Sequence, residues 1–374
     1  MLSVVSRKGI MKLLVLHMTI ICILICSCIS GSDDSNQLSD SLRTESGLVV
    51  VDSFGVEIGD SLNMIASIDG CFTSSDGSIV LLDATARKVR VIPVNGEPYC
   101  FGQNGQGPED LLNPKNMCLM SDDRILISDD RKFVLMQFDI SGSFLGNYLE
   151  SGWKVPEHCL PIDSNSVVGA VFDVEFNGEE TPDLNYYVGR FDSSAEASIR
   201  YIEVRYDLTD PRMYTQMDIV DYCVDPNGQV YILPDHTNYR IDVMTSDGEE
   251  QGCINPEVLR LEKTDEEMAN ELSEFKDSHV WDSAYTGGYE PLPYRQLIDL
   301  VGVDSEGNLW VQRMDKENMF FFDLWDSSGN YLDSVISEQF ISNPDLEFHV
   351  DANGILGIIS NSSVHSRVYR LEII

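Results

Sequence analysis

The chain of 374 residues has few basic side chains: 25 lysines and arginines stand against 62 aspartates and glutamates, a net charge of −37 at pH 7. Nucleic-acid binding depends on lysine and arginine to neutralise phosphates, so this composition argues against DNA or RNA as a partner. An acidic surface is also repelled by anionic lipid headgroups. We therefore expect membrane attachment only through a covalently bound lipid.

The sequence also lacks the short motifs of common catalytic sites. It contains no G-x-S-x-G elbow, no H-E-x-x-H pair and no Walker loop, and we predict no catalytic residue. No C-x-x-C or H-x-H spacing occurs, so no metal site or cofactor is predicted. A divalent cation such as calcium stays an open alternative because of the acidic charge, although the Asp-x-x-Gly turns lack the other oxygen ligands of a calcium loop.

No apolar run reaches the roughly 20 residues of a membrane-spanning helix. Residues 1–27 instead combine Arg7, Lys8 and Lys12 with an apolar stretch of about a dozen residues, which is typical of a secretory signal peptide. Translation from either Met1 or Met11 fits this pattern. The chain is therefore predicted to be exported.

The end of this segment, Ile25-Cys26-Ser27-Cys28, resembles a bacterial lipobox. Cys28 is the predicted lipidated residue, because a small side chain precedes it, whereas Ile25 precedes Cys26. Residues 28–46 are polar and read as a flexible tether. We expect a lipoprotein of the cell envelope, anchored in the outer membrane on its periplasmic face or at the cell surface.

One pattern repeats along the rest of the chain: an apolar strand, a tight turn of the form Asp-x-x-Gly, and a second apolar strand. Clear copies have their turns at Asp225–Gly228, Asp304–Gly307 and Asp351–Gly354. Each copy predicts a β-hairpin, since these turns provide residues that tolerate positive φ. The six anchor positions are Cys71, Cys118, Cys159, Cys223, Gly302 and His349.

Most copies continue into a third and a fourth strand, and four strands per repeat of about 40 to 50 residues are typical of a propeller blade. The sequence therefore predicts an all-β, six-bladed β-propeller of four-stranded antiparallel blades over residues 47–374. The last copy has only three strands. We expect Gly47–Ser53 to supply its fourth strand, which would close the ring and remove an exposed sheet edge.

Two segments depart from this repeat: a long polar excursion over Val174–Asp192 and an insertion over about 255–294. In the insertion, Thr264 and Glu267 form the capping box of a predicted helix, with Met268, Leu272 and Phe275 as its apolar stripe. The cysteines at four of the anchors are predicted to be buried hydrophobes rather than members of a disulfide framework or a metal cluster.

The Val-Asp-x-x-Gly-x-Leu-Trp-Val pattern at residues 303–311 resembles the NHL-type and TolB-like six-bladed propellers. The loop Gly102–Asp110 is similar to the G-x-G-x-G-P-x-E loop of six-bladed propeller lipoproteins of Bacteroidetes. The resemblance covers residues 47–374. It implies fold and location, and no settled activity.

In propellers generally, the connection between the second and third strands opens on the same face as the links between blades, and charged groups that converge there are candidates for a site. The candidate ligand-binding residues are Arg87, Arg131, His236 and Tyr239, together with Trp281, Tyr285 and Tyr289 of the insertion. For the charged residues the alternative is a structural ion pair. For the aromatic residues it is a segment that fills a groove between blades.

The absence of catalytic motifs favours a monomeric binding or scaffolding module for a glycan, a peptide or an envelope protein over an enzyme. The alternative function is that of a metal-assisted hydrolase or lyase at the mouth of the propeller channel.

Overall fold

The chain folds into β-strands that form four separate four-stranded sheets and one closed sheet of eight strands. The computed structural model describes residues 46–56, 64–150, 154–175, 183–194, 196–207, 220–278, 289–316, 319–337, 346–360 and 365–374. Among these residues, no helix is long and apolar enough to cross a membrane.

The four separate sheets, numbered I to IV in chain order, each contain four consecutive antiparallel strands. They follow β1 (Ser46–Phe54), which belongs to none of them. The strands of sheets I and II are β2 (Cys71–Thr73), β3 (Ile79–Asp83), β4 (Lys88–Ile92), β5 (Tyr99–Phe101), β6 (Pro114–Leu119), β7 (Ile125–Asp129), β8 (Val134–Phe138) and β9 (Phe144–Glu150). The strands of sheets III and IV are β10 (Glu157–Pro161), β11 (Val167–Glu175), β12 (Asp183–Phe191), β13 (Ile199–Asp207), β14 (Asp221–Val224), β15 (Val230–Leu233), β16 (Ile241–Met244) and β17 (Glu250–Ile254).

The last third of the chain begins with the helix α1 (Asp265–Ser278) and continues as seven strands. These strands are β18 (Ile298–Val303), β19 (Leu309–Arg313), β20 (Phe320–Trp325), β21 (Tyr331–Ser337), β22 (Leu346–Asp351), β23 (Gly354–Ile359) and β24 (Arg367–Ile373). Together with β1 they form the closed sheet, in the order β1-β21-β20-β19-β18-β22-β23-β24. In it, β1 runs antiparallel to β24, with Val50 opposite Leu371, and parallel to β21.

The structure differs here from the sequence prediction of six four-stranded blades, because the described residues form four separate four-stranded sheets. The physical reason lies at two close backbone approaches. Gly302 of β18 pairs with Val350 of β22, and a Cβ on Gly302 would lie 1.8 Å from the Val350 carbonyl oxygen. On the other side, Gly47 of β1 pairs with Ile336 of β21. These two contacts join the last strands into one sheet.

The sheets have a propeller-like arrangement around a ring of first strands. The strand β2 contacts β6, β6 contacts β10, β10 contacts β14, β14 contacts β18, β18 contacts β22, and β22 contacts β2. The hydrophobic core lies between neighbouring sheets: Leu82 of sheet I and Met117 and Ile127 of sheet II, for example, belong to one buried cluster. Burial of apolar surface between the sheets is therefore the main source of cohesion.

The Asp-x-x-Gly turns have the local structure that the repeat predicts. Asp225 accepts hydrogen bonds through Oδ1 from the N–H groups of Asn227 and Gln229, at 2.8 Å each, and Gly228 has a φ of 85°. Asp304 and Gly307 repeat this arrangement. The carboxylate satisfies the backbone donors of the turn, so these aspartates are accounted for by turn structure.

The polar excursion predicted over Val174–Asp192 is wrong for the second half of that range, while residues 176–182 lie outside the described residues. Residues Asp183–Phe191 form β12, which pairs along its length with β11. Phe172 and Tyr186 pack across these strands, with ring centroids 4.8 Å apart. Alternating apolar residues such as Tyr186 and Val188 carry the strand signal, and the neighbouring acidic residues obscured it in the sequence.

The cysteines at the anchor positions are buried thiols outside any disulfide, as predicted: Cys71, Cys118, Cys159 and Cys223 all lie in the core. Burial raises the pKa of the Cys118 thiol to about 12 and also raises that of Cys159. These thiols are therefore protonated at neutral pH and pack as small apolar side chains.

Candidate functional site

The face that carries the predicted site residues is organised by two buried aspartates. Asp83, at the end of β3, accepts hydrogen bonds from the N–H groups of Ala66 and Ser67, in the link that precedes β2, and of Ala86 in the β3–β4 turn. Asp129, at the end of β7, binds the corresponding link and turn of sheet II in the same way. Links and turns thus lie side by side on this face, which we call the loop face.

Asp83 has an arginine partner, but this is Arg90 rather than Arg87. The Arg90 guanidinium lies 3.2 Å from Asp83 Oδ2, and both side chains are buried. The structural ion pair that was the alternative for Arg87 is therefore formed by Arg90, three residues later in β4. It leaves Arg87 available for another role.

A cavity of about 310 Å³ opens on the loop face between sheets I and II. Its walls come from the β3–β4 turn of sheet I and the start of β6, and we call this place the open junction. The lining residues are Asp69, Ala84, Thr85, Arg87, Asn113, Pro114 and Lys115. Most of this lining is polar.

Arg87 occupies a position of the β3–β4 turn with a left-handed backbone, φ 55°. Phe133 has the same conformation, φ 58°, four residues after Asp129 as Arg87 is four residues after Asp83. Arg87 therefore corresponds to Phe133 of sheet II and not to Arg131. Arg131 is exposed and does not line the cavity, so the structure does not bring these two predicted residues into one site.

The charges around the open junction are mixed. Asp69 accepts hydrogen bonds through Oδ2 from Ser67 Oγ at 2.6 Å and from the Ala84 N–H at 3.1 Å. The Lys115 ammonium lies 3.9 Å from Asp130 Oδ2. Burial raises the pKa of the Asp130 carboxyl, and the neighbouring Lys115 opposes this shift. The site thus combines two cationic side chains with carboxylates that are already engaged.

His236 lies at the equivalent place between sheet IV and β18, which we call the closed junction (residues 235–239 and 297–299). Its carbonyl oxygen accepts hydrogen bonds from the N–H groups of Leu297 and Ile298, at 2.7 and 3.2 Å. Its ring nitrogen Nδ1 lies 3.3 Å from the Ile298 carbonyl oxygen and 3.5 Å from Asp299 Oδ1. The imidazole is held by the start of the following strand.

Tyr239 is buried beneath the closed junction and has no surface to offer a ligand. Its hydroxyl donates to Asp323 Oδ2 at 2.9 Å and accepts from Trp325 Nε1 at 2.8 Å. Burial and the Asp323 carboxylate raise the pKa of the tyrosine. Asp323 also pairs with Arg313 at 3.3 Å, and burial raises the pKa of this carboxyl. Tyr239 is therefore a packing residue with a satisfied hydroxyl.

Tyr289 packs on α1. Its ring stacks on Phe275 with centroids 3.9 Å apart, and its hydroxyl donates to Glu271. The predicted capping box is present, because Thr264 accepts from the Glu267 N–H and Glu267 accepts from the Thr264 N–H. Both the ring and the hydroxyl of Tyr289 are therefore engaged by the helix of the insertion itself. The remaining predicted residues, Cys28, Trp281 and Tyr285, lie outside the described part of the chain.

The glycine-rich loop Gly102–Asp110 stands beside the open junction and is held by Lys132. The Lys132 ammonium donates to the carbonyl oxygens of Gly107 and Asp110, at 2.6 and 2.5 Å. Asp110 in turn accepts from the Gly107 N–H, and a Cβ on Gly105 would lie 2.0 Å from Asp110 Oδ2. The loop motif thus has a structural basis, in that its glycines make room for Asp110.

Sequence reasoning missed Asp69, Asn113 and Lys115. A signal for them existed, because each lies just before or at the start of a first strand, where the link between sheets reaches the loop face. Across the described ranges, no group of three or more His, Cys, Asp and Glu side chains is placed to hold a metal. The metal-assisted alternative therefore has no ligand set among the described residues.

The sequence matches no protein-family model and no curated protein. In structure, the chain is similar to a protein of Bacteroides fragilis described as exported, with 12% identity and a TM-score of 0.50, over 90% of this chain and 98% of that one. A member of the DUF4221 family from Bacteroides vulgatus has 11% identity and a TM-score of 0.49, over 88% of this chain and 99% of that one. Virginiamycin B lyase from Staphylococcus aureus has 10% identity and a TM-score of 0.41, over 88% of this chain and 100% of that one. At such identities the likeness bears on the fold alone, and the fold is of the β-propeller type.

Proposed function

We propose that the chain is a lipid-anchored, six-bladed β-propeller of the bacterial cell envelope that binds a polar ligand at the open junction. The cavity between sheets I and II is the observation that carries the binding function. Convergent polar groups fix the orientation of a ligand in a concave site, and about 300 Å³ is the lower end of the volume range of small-ligand pockets.

The six-bladed interpretation treats the closed eight-stranded sheet as two blades that share hydrogen bonds. The unbroken cycle of contacts from β2 through β22 and back to β2 supports it. The antiparallel pairing of β1 with β24 supports the role of β1 as the fourth strand of the last blade.

Deletion of Gly47–Ser53 tests this closure. We expect the mature chain without these residues to melt at a markedly lower temperature, because β24 would lose its partner and expose a sheet edge. Removal of residues 28–45 only is the matched control and should leave the melting temperature unchanged. Equal melting of the two shortened chains would contradict the closure.

The lipid anchor is supported by the residues of the lipobox and by the polar tether that follows. Metabolic labelling with a fatty-acid analogue in a bacterial host tests it. Cys28→Ala should abolish incorporation of the label, and Cys26→Ala, the matched control, should keep it. Label on the Cys28→Ala chain would contradict the assignment.

The binding function is tested by filling the cavity. Thr85→Trp places a large ring at the cavity wall, whereas Asn95→Trp makes the same addition to an exposed turn at the opposite end of sheet I. Glycan fragments and peptides from the native envelope should bind the wild type and Asn95→Trp but not Thr85→Trp. Equal binding by all three chains would remove the open junction as the site.

A further inference from the structure

We propose that the open junction recognises an oxyanion, a carboxylate or a phosphate carried by a small polar ligand, and that Arg87 is its charged partner. This inference rests on the proposed binding function and names the ligand class for that site.

Arg87 differs in its surroundings from most of the twelve other arginines of the described chain. Eight of them pair with an aspartate or glutamate within 4.0 Å: Arg90, Arg124, Arg190, Arg200, Arg240, Arg260, Arg295 and Arg313. No described residue forms such a pair with Arg87. In a chain with 62 acidic side chains, an arginine that lines a cavity without a carboxylate partner leaves its donors for a ligand. The guanidinium group offers a planar pair of N–H donors that matches carboxylate and phosphate oxygens.

The cavity contributes a second cation. Lys115 lines the wall supplied by β6, while Arg87 lines the wall supplied by sheet I. Asp69, the one carboxylate of the lining, accepts two hydrogen bonds within sheet I, and Asp130 Oδ2 lies 3.9 Å from the Lys115 ammonium. Arg87 is thus the cation of the lining without a described carboxylate partner, and it is the group that an oxyanion in the cavity would meet. The net acidity of the chain acts from farther away and is screened beyond about 8 Å at physiological salt.

The left-handed backbone at Arg87 is a property of the turn, because Phe133 has the same conformation at the equivalent position of sheet II. The two turns differ in the side chain that this position carries, and Arg87 is the one that lines the cavity.

Isothermal titration of the purified mature chain at 0.15 M salt tests the inference with three probes: D-glucuronate, D-glucose 6-phosphate and D-glucose. The sugar ring is common to all, so the anionic group alone is varied. We expect at least one anionic probe to bind ten-fold or more tightly than glucose, and the better of the two identifies the oxyanion. Arg87→Gln should lose that ten-fold preference. Arg240→Gln is the matched control, since Arg240 is an exposed arginine just before β16 and outside the cavity, and it should bind as the wild type does.

The outcomes separate this inference from the proposed function. Glucose bound as tightly as the anions, or unchanged anion binding by Arg87→Gln, would overturn the oxyanion inference. If either of these results were obtained and Thr85→Trp still abolished binding of the probes, the open junction would remain the site. Anion binding that survives both Arg87→Gln and Thr85→Trp would overturn both. Failure of every probe to bind the wild type at millimolar concentration would overturn the inference as well. Arg87→Lys keeps the charge and serves as a second variant if Arg87→Gln changes the melting temperature.

Discussion

The open and closed junctions occupy equivalent places in the fold, and the cavity of about 310 Å³ lies at the open one. At the closed junction, the N–H groups of Leu297 and of Ile298, the first residue of β18, donate to the His236 carbonyl oxygen of the preceding sheet, sheet IV. At the open junction, the N–H groups of Leu112 and Asn113 donate instead to Asp129 of sheet II, the sheet that the link leads into. Pro114, the next residue, has no N–H to donate.

At the closed junction the link hydrogen-bonds to the preceding sheet, and at the open junction it hydrogen-bonds to its own sheet. The cavity lies at the second of these junctions. The backbone partners of the links therefore distinguish the two junctions as much as the side chains of the face do.

The largest effect is expected beneath the closed junction, for Asp323→Ala. The substitution leaves the Arg313 guanidinium without one carboxylate and the Tyr239 hydroxyl without its acceptor, both in a buried setting. Removal of one partner of a buried ion pair costs about 3 to 4 kcal/mol of unfolding free energy, measured by denaturant unfolding. Asp242→Ala breaks the exposed pair with Arg240, and as the control it should cost less than about 1 kcal/mol. Equal losses in the two variants would mean that the buried network does not hold the closed junction.

At the open junction, Asp129→Ala is expected to cost about 2 to 3 kcal/mol, because buried backbone donors of the link and the turn lose their acceptor. The link should then detach from sheet II, and ligand binding at the cavity should be lost with it. Asp129→Asn keeps one acceptor oxygen and should fall between the wild type and Asp129→Ala in both measurements. A stable Asp129→Ala chain that still binds ligand would show that the link does not shape the cavity.

Tyr239→Phe should cost about 1 kcal/mol, since the indole N–H of Trp325 and the Asp323 carboxylate each lose one hydrogen bond. Ligand binding at the open junction should be unchanged, because Tyr239 lies in a different seam. A large loss of binding in this variant would contradict the separation of the two junctions and would restore Tyr239 as a functional residue.

Much of the fold follows from local sequence. The turns at Asp225 and Asp304, the capping box at Thr264 and the buried anchor cysteines depend on a few neighbouring residues, and each was predicted correctly. The joining of the last strands into one sheet was not predicted, because it depends on how closely Gly302 approaches Val350, which are far apart in sequence. A glycine in a strand signals such an approach only when the partner is known.

The candidate site was predicted less well, for a related reason. Position on the loop face could be inferred, and Arg87 lies at the cavity as a result. Tyr239 occupies a comparable position in the sequence, but its side chain is buried between sheets. Its orientation depends on Asp323 and Trp325, which lie more than 80 residues later in the chain. Lys115 is not predicted as a site residue, because its position within the strand β6 does not by itself indicate that it reaches a cavity.

The smallest expected effect is a change in the rate at which buried cysteines react with a thiol reagent. This rate distinguishes local opening of one junction from unfolding of the whole chain. At pH 8, a thiol with a pKa of about 12 is ionised in only about one molecule in ten thousand, so Cys118 should react slowly with a thiol reagent, and the exposed Cys253 quickly. The thiolate fraction of Cys118 rises with pH, and its reaction should accelerate accordingly up to the pH at which the chain unfolds.

Cys223 belongs to the buried cluster of the closed junction, and Cys118 to a cluster that joins sheets II and III. In Asp323→Ala, modification of Cys223 should accelerate while that of Cys118 stays slow, as followed by peptide mass spectrometry. Equal acceleration at both cysteines would mean that the substitution unfolds the whole propeller and that the closed junction does not open as a separate unit.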